Sequence, residues 1–260
     1  MPVRKELNFF RRDHQPLGSY KAHFPRHERG EICVDVSPLY SLDPAVPARL
    51  RAAVPQARVV LLVREPAGWI QSAYAQMCSY TLHPPTFAQF VEHPALKQST
   101  PEVRFSLTEG VYRPSLAEFG SVFGDNLLIF DFAAFEQNPL RILSEIEAFA
   151  GASPYFAAET VDVRPHNSSR LARRYPPVVR RLLSQEGLVR AAEKFVPASV
   201  LRRGRSMLYY EGGASESTPA MAPECEHDAA IARAATAADR DTYAELFSTT
   251  PVRRGSELCW

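Results

Sequence analysis

The stretch Arg58–Gln76, RVVLLVREPAGWIQSAYAQ, constrains the fold of this chain more than any other. Val59–Val63 is the longest strongly apolar run in the sequence, and it is continuous rather than alternating. That is the pattern of a short strand buried on both faces of a sheet. Pro66 follows within three residues, and its fixed φ suits the first turn of a helix. The spacing predicts a helix from Pro66 to about Cys78. A strand feeding directly into a helix is the first half of a β-α-β unit, so the sheet should be parallel and covered by helices. Ligands of such sheets bind outside the carboxyl ends of the strands. Arg64 stands at such an end, and a guanidinium offers a planar donor fork suited to phosphate. Ser72, on the second helical turn, can add a hydroxyl. Alternatively, Arg64 pairs with Glu65 or caps local structure and Ser72 is an ordinary helix residue. The local pattern leaves both open.

The remaining chain repeats this alternation. Glu31–Val36 (EICVDV) is rich in β-branched residues and predicts a strand. Leu17–Phe24, Pro44–Val54, Thr86–Glu92 and Pro114–Phe123 predict short helices, the last ended by Gly124. Asn126–Asp131 (NLLIFD) predicts a second core strand. Pro139–Ala150 predicts an amphipathic helix closed by Gly151. Residues 151–175 read as a loop, and Pro176–Arg205 as helical in pieces. Gly212–Pro223 is a Gly/Ser/Pro/Ala linker, expected to be mobile, ahead of a closing helix over Glu224–Phe247.

At 260 residues, with 45% apolar and 10% aromatic side chains, the chain suits one α/β domain, spanning 1–260, or at most two small ones. The net charge of +1 excludes a polyanion binder acting through bulk charge. No apolar run approaches the ~20 residues of a membrane span. The opening MPVRKELNFFRRDH has no signal-peptide core, so a cytoplasmic location is expected. Cys33, Cys78, Cys225 and Cys259 are scattered, which argues for free thiols and against a zinc site. From Arg164 to Arg205, eleven basic residues stand against two acids, Glu186 and Glu193. That segment could cover a nucleotide, attract an anionic acceptor, or be a solvated helical face.

The segment around Arg64 resembles the 3′-phosphate-binding segment of sulfotransferases that use 3′-phosphoadenosine 5′-phosphosulfate (PAPS). Their pattern is a strand followed by R-x-P-x-x-x-x-x-S, met here by Arg64, Pro66 and Ser72. Lys5–Phe10 (KELNFF) resembles the K-E-x-x-F-F segment of the heparan-sulfate-type branch. Leu17–Pro25 resembles the helix that follows it, and Val34–Tyr40 (VDVSPLY) that branch's E-K-[ST]-P-x-Y segment. Glu109–Gly151 resembles the family's G-x-Y, strand and following helix. His166–Arg170 (HNSSR) and Trp260 are similar to bacterial-type members. The resemblance runs through most of the chain to Arg170, and it rests on the order and spacing of several motifs.

The resemblance implies an α/β, P-loop-NTPase-like fold and sulfuryl transfer from PAPS to a hydroxyl or amine, leaving adenosine 3′,5′-bisphosphate (PAP). No metal is implied. Such transfer works by in-line displacement, positioning and charge stabilisation. By resemblance the base that takes the acceptor's proton is Glu6, which could equally be an exposed carboxylate beside Lys5. Asp35 would help to hold the acceptor, or cap the turn before Pro38. Arg64 and Ser72 would bind the 3′-phosphate. Tyr112 would approach the nucleotide or be an aromatic core residue, and Trp69 would stack on adenine or pack in the core. Arg203 and Arg205 would contact the nucleotide from the basic segment. The acceptor is a small molecule or glycan, with a carbohydrate hydroxyl favoured by branch; Val36 stands where that branch carries lysine. Neither nucleic acid nor membrane is an expected partner.

Members of the family carry a P-K-x-G-[ST]-[ST] loop upstream of K-E-x-x-F-F, where backbone N–H groups cradle the 5′-phosphosulfate. Only four residues precede Lys5 here. The expectation is therefore a chain without the first strand, loop and helix, a truncated or inactive form of low solubility with exposed strand edges. Arg254-Gly255-Ser256 is a poor substitute, because no apolar strand leads into it. A kinase of related architecture is disfavoured by the lack of G-x-x-x-x-G-K-[ST]. A non-catalytic relative that binds a nucleotide or a partner is the other reading. A nucleic-acid-binding module would rest on the Arg-rich segment alone.

Overall fold

The computed structural model describes residues 6–12, 16–24, 31–80, 84–97, 106–156, 226–248 and 250–258. The chain divides into two compact units: Met1–Pro66, Pro94–Val163 and Ala235–Trp260 form one, and Ala67–His93 with Arg164–Ala234 form the other.

The first unit is organised by a three-stranded sheet in the order β1-β2-β3. β1 is Val59–Val63, β2 is Leu127–Asp131 and β3 is Val252–Arg254. β1 and β2 run parallel, with Val59 opposite Leu127 and Val63 opposite Asp131. β3 pairs antiparallel with β2, with Phe130 opposite Val252 and Leu128 opposite Arg254. β2 is thus central, and Leu127–Phe130 are all buried. β1 departs from the continuous burial that its sequence suggests. Val59, Leu61 and Val63 are buried, whereas Leu62 is 39% exposed. An edge strand alternates between a covered and an open face, and its composition alone cannot tell the two apart.

Helices cover the sheet. Leu128 and Phe130 pack with Ile142, Ile146 and Phe149 of α8 (Pro139–Ala150). Asn138 caps α8 by accepting from the Arg141 N–H at 3.1 Å, and Gly151 ends it with φ 73°. α6 (Arg113–Phe123) also packs on β2, and its Leu116 and Phe119 are fully buried. α2 (Val46–Ala53) lies on α6. Beyond β2, Asp131 caps α7 (Phe132–Gln137), a helix that the sequence did not signal. α5 (Pro94–Lys97) is a single turn, and α1 (Leu17–Lys21) is short. α10 (Ala237–Phe247) precedes β3. The closing helix expected over Glu224–Phe247 is two helices, α9 (Glu226–Ala235) and α10, separated at Thr236.

One expectation is corrected here. Glu31–Val36 is not a strand; of its backbone, Val36 C=O accepts one bond, from the Glu6 N–H at 3.2 Å. Its β-branched residues have the propensity but no neighbouring ladder among the described residues. β3, the strand that leads into Gly255, is Val-Arg-Arg and takes its register from β2.

The second unit contains most of α3 (Pro66–Tyr80), α4 (Phe87–Val91) and most of α9. Tyr74 packs on Phe87 and Phe90 at centroid distances of 5.2 and 5.4 Å, and its hydroxyl donates to Pro85 C=O at 2.8 Å. A capping box between Thr86 and Gln89 starts α4. Cys33, in the first unit, and Cys78, in the second, form no disulfide. No described helix is long and apolar enough to cross a membrane. The expected 212–223 linker and the basic segment lie outside the described residues.

Candidate functional site

The carboxyl ends of β1 and β2 come out side by side because Val63 and Asp131 are partners in register. Arg64 and Phe132 are the residues that follow directly after the two strands. The Arg64 guanidinium lies over the Phe132 ring, 5.4 Å from its centroid. Arg64 is half-buried, and among the described residues its guanidinium makes no ion pair or hydrogen bond, so it does not pair with Glu65. A cation at a strand end with its donor fork uncommitted is suited to an anionic ligand.

Below Arg64 the wall is built by Tyr112. Its side chain is 4% exposed, and its hydroxyl takes the Arg64 backbone N–H. Burial first, and then the Asp239 carboxylate, push its ionisation far above the ordinary tyrosine range. Asp239 is itself buried and serves the start of α6. Its carboxylate accepts from the Val111 N–H, from the Tyr112 N–H at 2.9 Å and from the Arg113 N–H at 3.3 Å. These N–H groups would otherwise be orphaned at the helix N-terminus, and a carboxylate also favours the positive end of the helix dipole. Gly110 has φ +99° and gives the carboxylate room. The G-x-Y pattern therefore combines a backbone requirement at Gly110 with a buried wall at Tyr112.

Asp131 closes the other side. Its Oδ1 accepts from the Ala133 N–H at 3.0 Å and from the Tyr243 hydroxyl at 2.7 Å. The Tyr243 hydroxyl is held protonated, mainly by burial and then by its bond to Asp131. Asp239 and Tyr243 are four residues apart on α10, so one helix face serves both contacts. Asp131, Asp239 and Tyr243 were missed in the sequence. The available signal was polar residues on a buried helical face, since Asp239, Thr242 and Leu246 are all buried.

Glu6 and Asp35 meet in a second cluster of the same unit. Glu6 is exposed, with φ 54°, and Asn8 has φ 48°. Both are left-handed, a conformation in which a non-glycine residue must be held by its surroundings. The holding bonds are Glu6 N–H to Val36 C=O, Asn8 N–H to Ser37 Oγ and Asn8 Nδ2 to Glu6 C=O, each 3.2 Å. Asp35 accepts from Ser37 Oγ at 2.8 Å, Tyr40 Oη at 3.1 Å and Tyr20 Oη at 3.3 Å. Three hydroxyl donors make it an anchor for the segment. Burial and then the Asp35 charge push the Tyr40 hydroxyl up to about 12, and the same two causes raise Tyr20. Phe9, Phe10, Tyr20, Phe24 and Tyr40 pack edge to face or tilted around this anchor.

Ser72 and Trp69 are half-buried on α3, in the second unit. Arg203 and Arg205 lie outside the described residues. Among the described residues no three His, Cys, Asp or Glu side chains gather as metal ligands.

No protein-family model matches the chain, and no curated protein matches it. Among solved structures it is similar to the crystal structure of a sulfotransferase from Alicyclobacillus acidocaldarius. The TM-score is 0.50 at 20% identity, over 65% of this chain and 76% of that one. At that identity the likeness is one of fold: a small, mostly parallel sheet flanked by helices, in the arrangement of a sulfotransferase.

Proposed function

We propose that the chain is a sulfotransferase that moves a sulfuryl group from PAPS to a hydroxyl or amine of an acceptor, a carbohydrate by preference. The observation that carries this reading is Arg64: a half-buried guanidinium, without an ion-pair partner among the described residues, at the carboxyl end of a parallel strand. The fold likeness and the R-x-P-x-x-x-x-x-S spacing support the same reading.

PAPS fits the residues present at its 3′-phosphate, where the Arg64 fork supplies charge-assisted donors. When bound, the donor supplies the sulfuryl group and a PAP leaving group. The chain's own residues do the rest. Tyr112 closes the floor under Arg64 and excludes water. Ser72 and the basic pair Arg203 and Arg205 are assigned to the nucleotide by motif alone. Glu6, exposed and held in a left-handed backbone, takes the acceptor's proton. Asp35, already accepting three hydroxyl bonds, holds the Glu6 segment in place.

The test is PAP binding followed by thermal shift, on the wild-type chain and on Arg64→Ala. Stabilisation of the wild type that disappears in the variant is expected. Equal stabilisation of both would remove Arg64 from the site, and no stabilisation of either would remove PAPS as donor. PAP binding without sulfuryl transfer to any of a panel of sugars, phenols and amines would favour a non-catalytic relative.

A further inference from the structure

We propose that Phe132 is a positioning residue for Arg64, and that its ring orients the guanidinium toward the ligand before the ligand arrives. The inference deepens the PAPS reading given above and rests on it for the identity of the anion.

An arginine has a long, flexible side chain, and fixing it on binding costs rotamer entropy. Acidic partners commonly hold such a group still, but they also consume its donors and neutralise its charge. Arg64 has no such partner among the described residues. It has instead the face of an aromatic ring 5.4 Å away. A ring attracts the cation through its quadrupole and leaves the N–H fork available in the guanidinium plane. The ring is itself well fixed. Phe132 follows Asp131, whose carboxylate is tied to the Ala133 N–H and to the Tyr243 hydroxyl. Its ring also packs against Phe135 at 6.2 Å. The Arg64 backbone is held from the other side by the Tyr112 hydroxyl. Anchors at both strand ends thus converge on one guanidinium whose donors are unspent among the described residues.

The experiment compares wild type, Phe132→Leu and Phe132→Tyr by two readouts. In NMR spectra, the Arg64 side-chain Nε–H signal, assigned by its loss in Arg64→Ala, should carry a ring-current shift in the wild type. Phe132→Leu should lose that shift and Phe132→Tyr should keep it. By titration, Phe132→Leu should bind PAP about fivefold more weakly, with Phe132→Tyr close to wild type. An Arg64 signal unchanged in Phe132→Leu overturns the proposal, whether or not PAP binds. So does weaker PAP binding with the Arg64 signal intact, which would mean that the ring touches the ligand directly. If the wild type does not bind PAP, the donor reading fails, while the NMR comparison still decides whether Phe132 orients Arg64. A Phe132→Leu variant that unfolds is replaced by Phe132→Met, which keeps bulk but removes the ring.

Discussion

Gly110 and Asp239 are packed so closely that a Cβ on residue 110 would sit 2.9 Å from the Asp239 Oδ1. The two residues are far apart in sequence, yet each explains the other. The carboxylate needs the space to reach three backbone N–H groups at the head of α6, and the chain needs φ +99° to turn those groups toward it.

Gly110→Ala should therefore destabilise the first unit. The left-handed backbone alone costs on the order of 1–3 kcal/mol for a residue with a Cβ. Displacement of Asp239 adds to this. Asp239→Asn keeps the volume but turns an NH2 toward a backbone donor, at a further cost of about 1–3 kcal/mol. Urea midpoints of the two variants and of the double variant test this. Full additivity would mean that the two residues do not act through one another.

Tyr243→Phe should lower stability by about 1 kcal/mol, because Asp131 keeps its bond to the Ala133 N–H and water can replace the lost phenol. The more informative result lies at the strand ends. Loss of the tie should weaken PAP binding along with stability, since the segment that carries Phe132 is then less fixed. A stability loss with unchanged PAP affinity would confine Tyr243 to packing.

Much of this was legible in the sequence, for identifiable reasons. β1, α3, β2 and α8 announced themselves because local pattern and tertiary role agree: a short apolar run, a proline at a helix start, an apolar face at helical spacing ended by Gly151. Glu31–Val36 misled because β propensity reports side-chain shape and not whether a partner strand exists. The Asp239 and Tyr243 contacts were hidden for the opposite reason. They join residues more than a hundred positions apart, through polar side chains that by composition belong on a surface. Arg64 could be placed at a strand end from the sequence because it lies next to the strand that carries it. Its ring partner Phe132 was not, because only the register of β1 with β2 brings the two together.

The tyrosines give a prediction for alkaline pH. Tyr40 is pushed up to about 12 in the fold, by burial first and then by the Asp35 carboxylate, from an ordinary value near 10. A raised folded value means that the unfolded chain loses its proton first. The stabilisation is then complete below about pH 10 and is lost as pH rises through about 12. Urea midpoints at pH 8, 10 and 11 should fall more steeply for wild type than for Tyr40→Phe, which has no such proton to lose. Parallel curves would show that Tyr40 ionises in the folded protein as freely as in the unfolded chain.

Glu6 offers the sharpest separation of stability from function. Its φ of 54° is unfavourable for a side chain with a Cβ, and the surrounding hydrogen bonds hold it there. Glycine adopts that conformation without strain but brings a more flexible unfolded chain, so the net effect of Glu6→Gly should be a gain of up to about 1 kcal/mol. On the proposed role of Glu6 as the base, sulfuryl transfer should be lost. Glu6→Gln should also lose transfer while leaving stability near wild type, since it keeps the strained backbone and removes the charge. PAP binding should be unchanged in both variants. A Glu6→Gly protein that is less stable than wild type would mean that the left-handed turn holds no strain at this position. Transfer that survives in Glu6→Gln would place the base on another residue, and Asp35, once released from its three hydroxyls by Tyr20→Phe, Ser37→Ala and Tyr40→Phe, would be the next to examine.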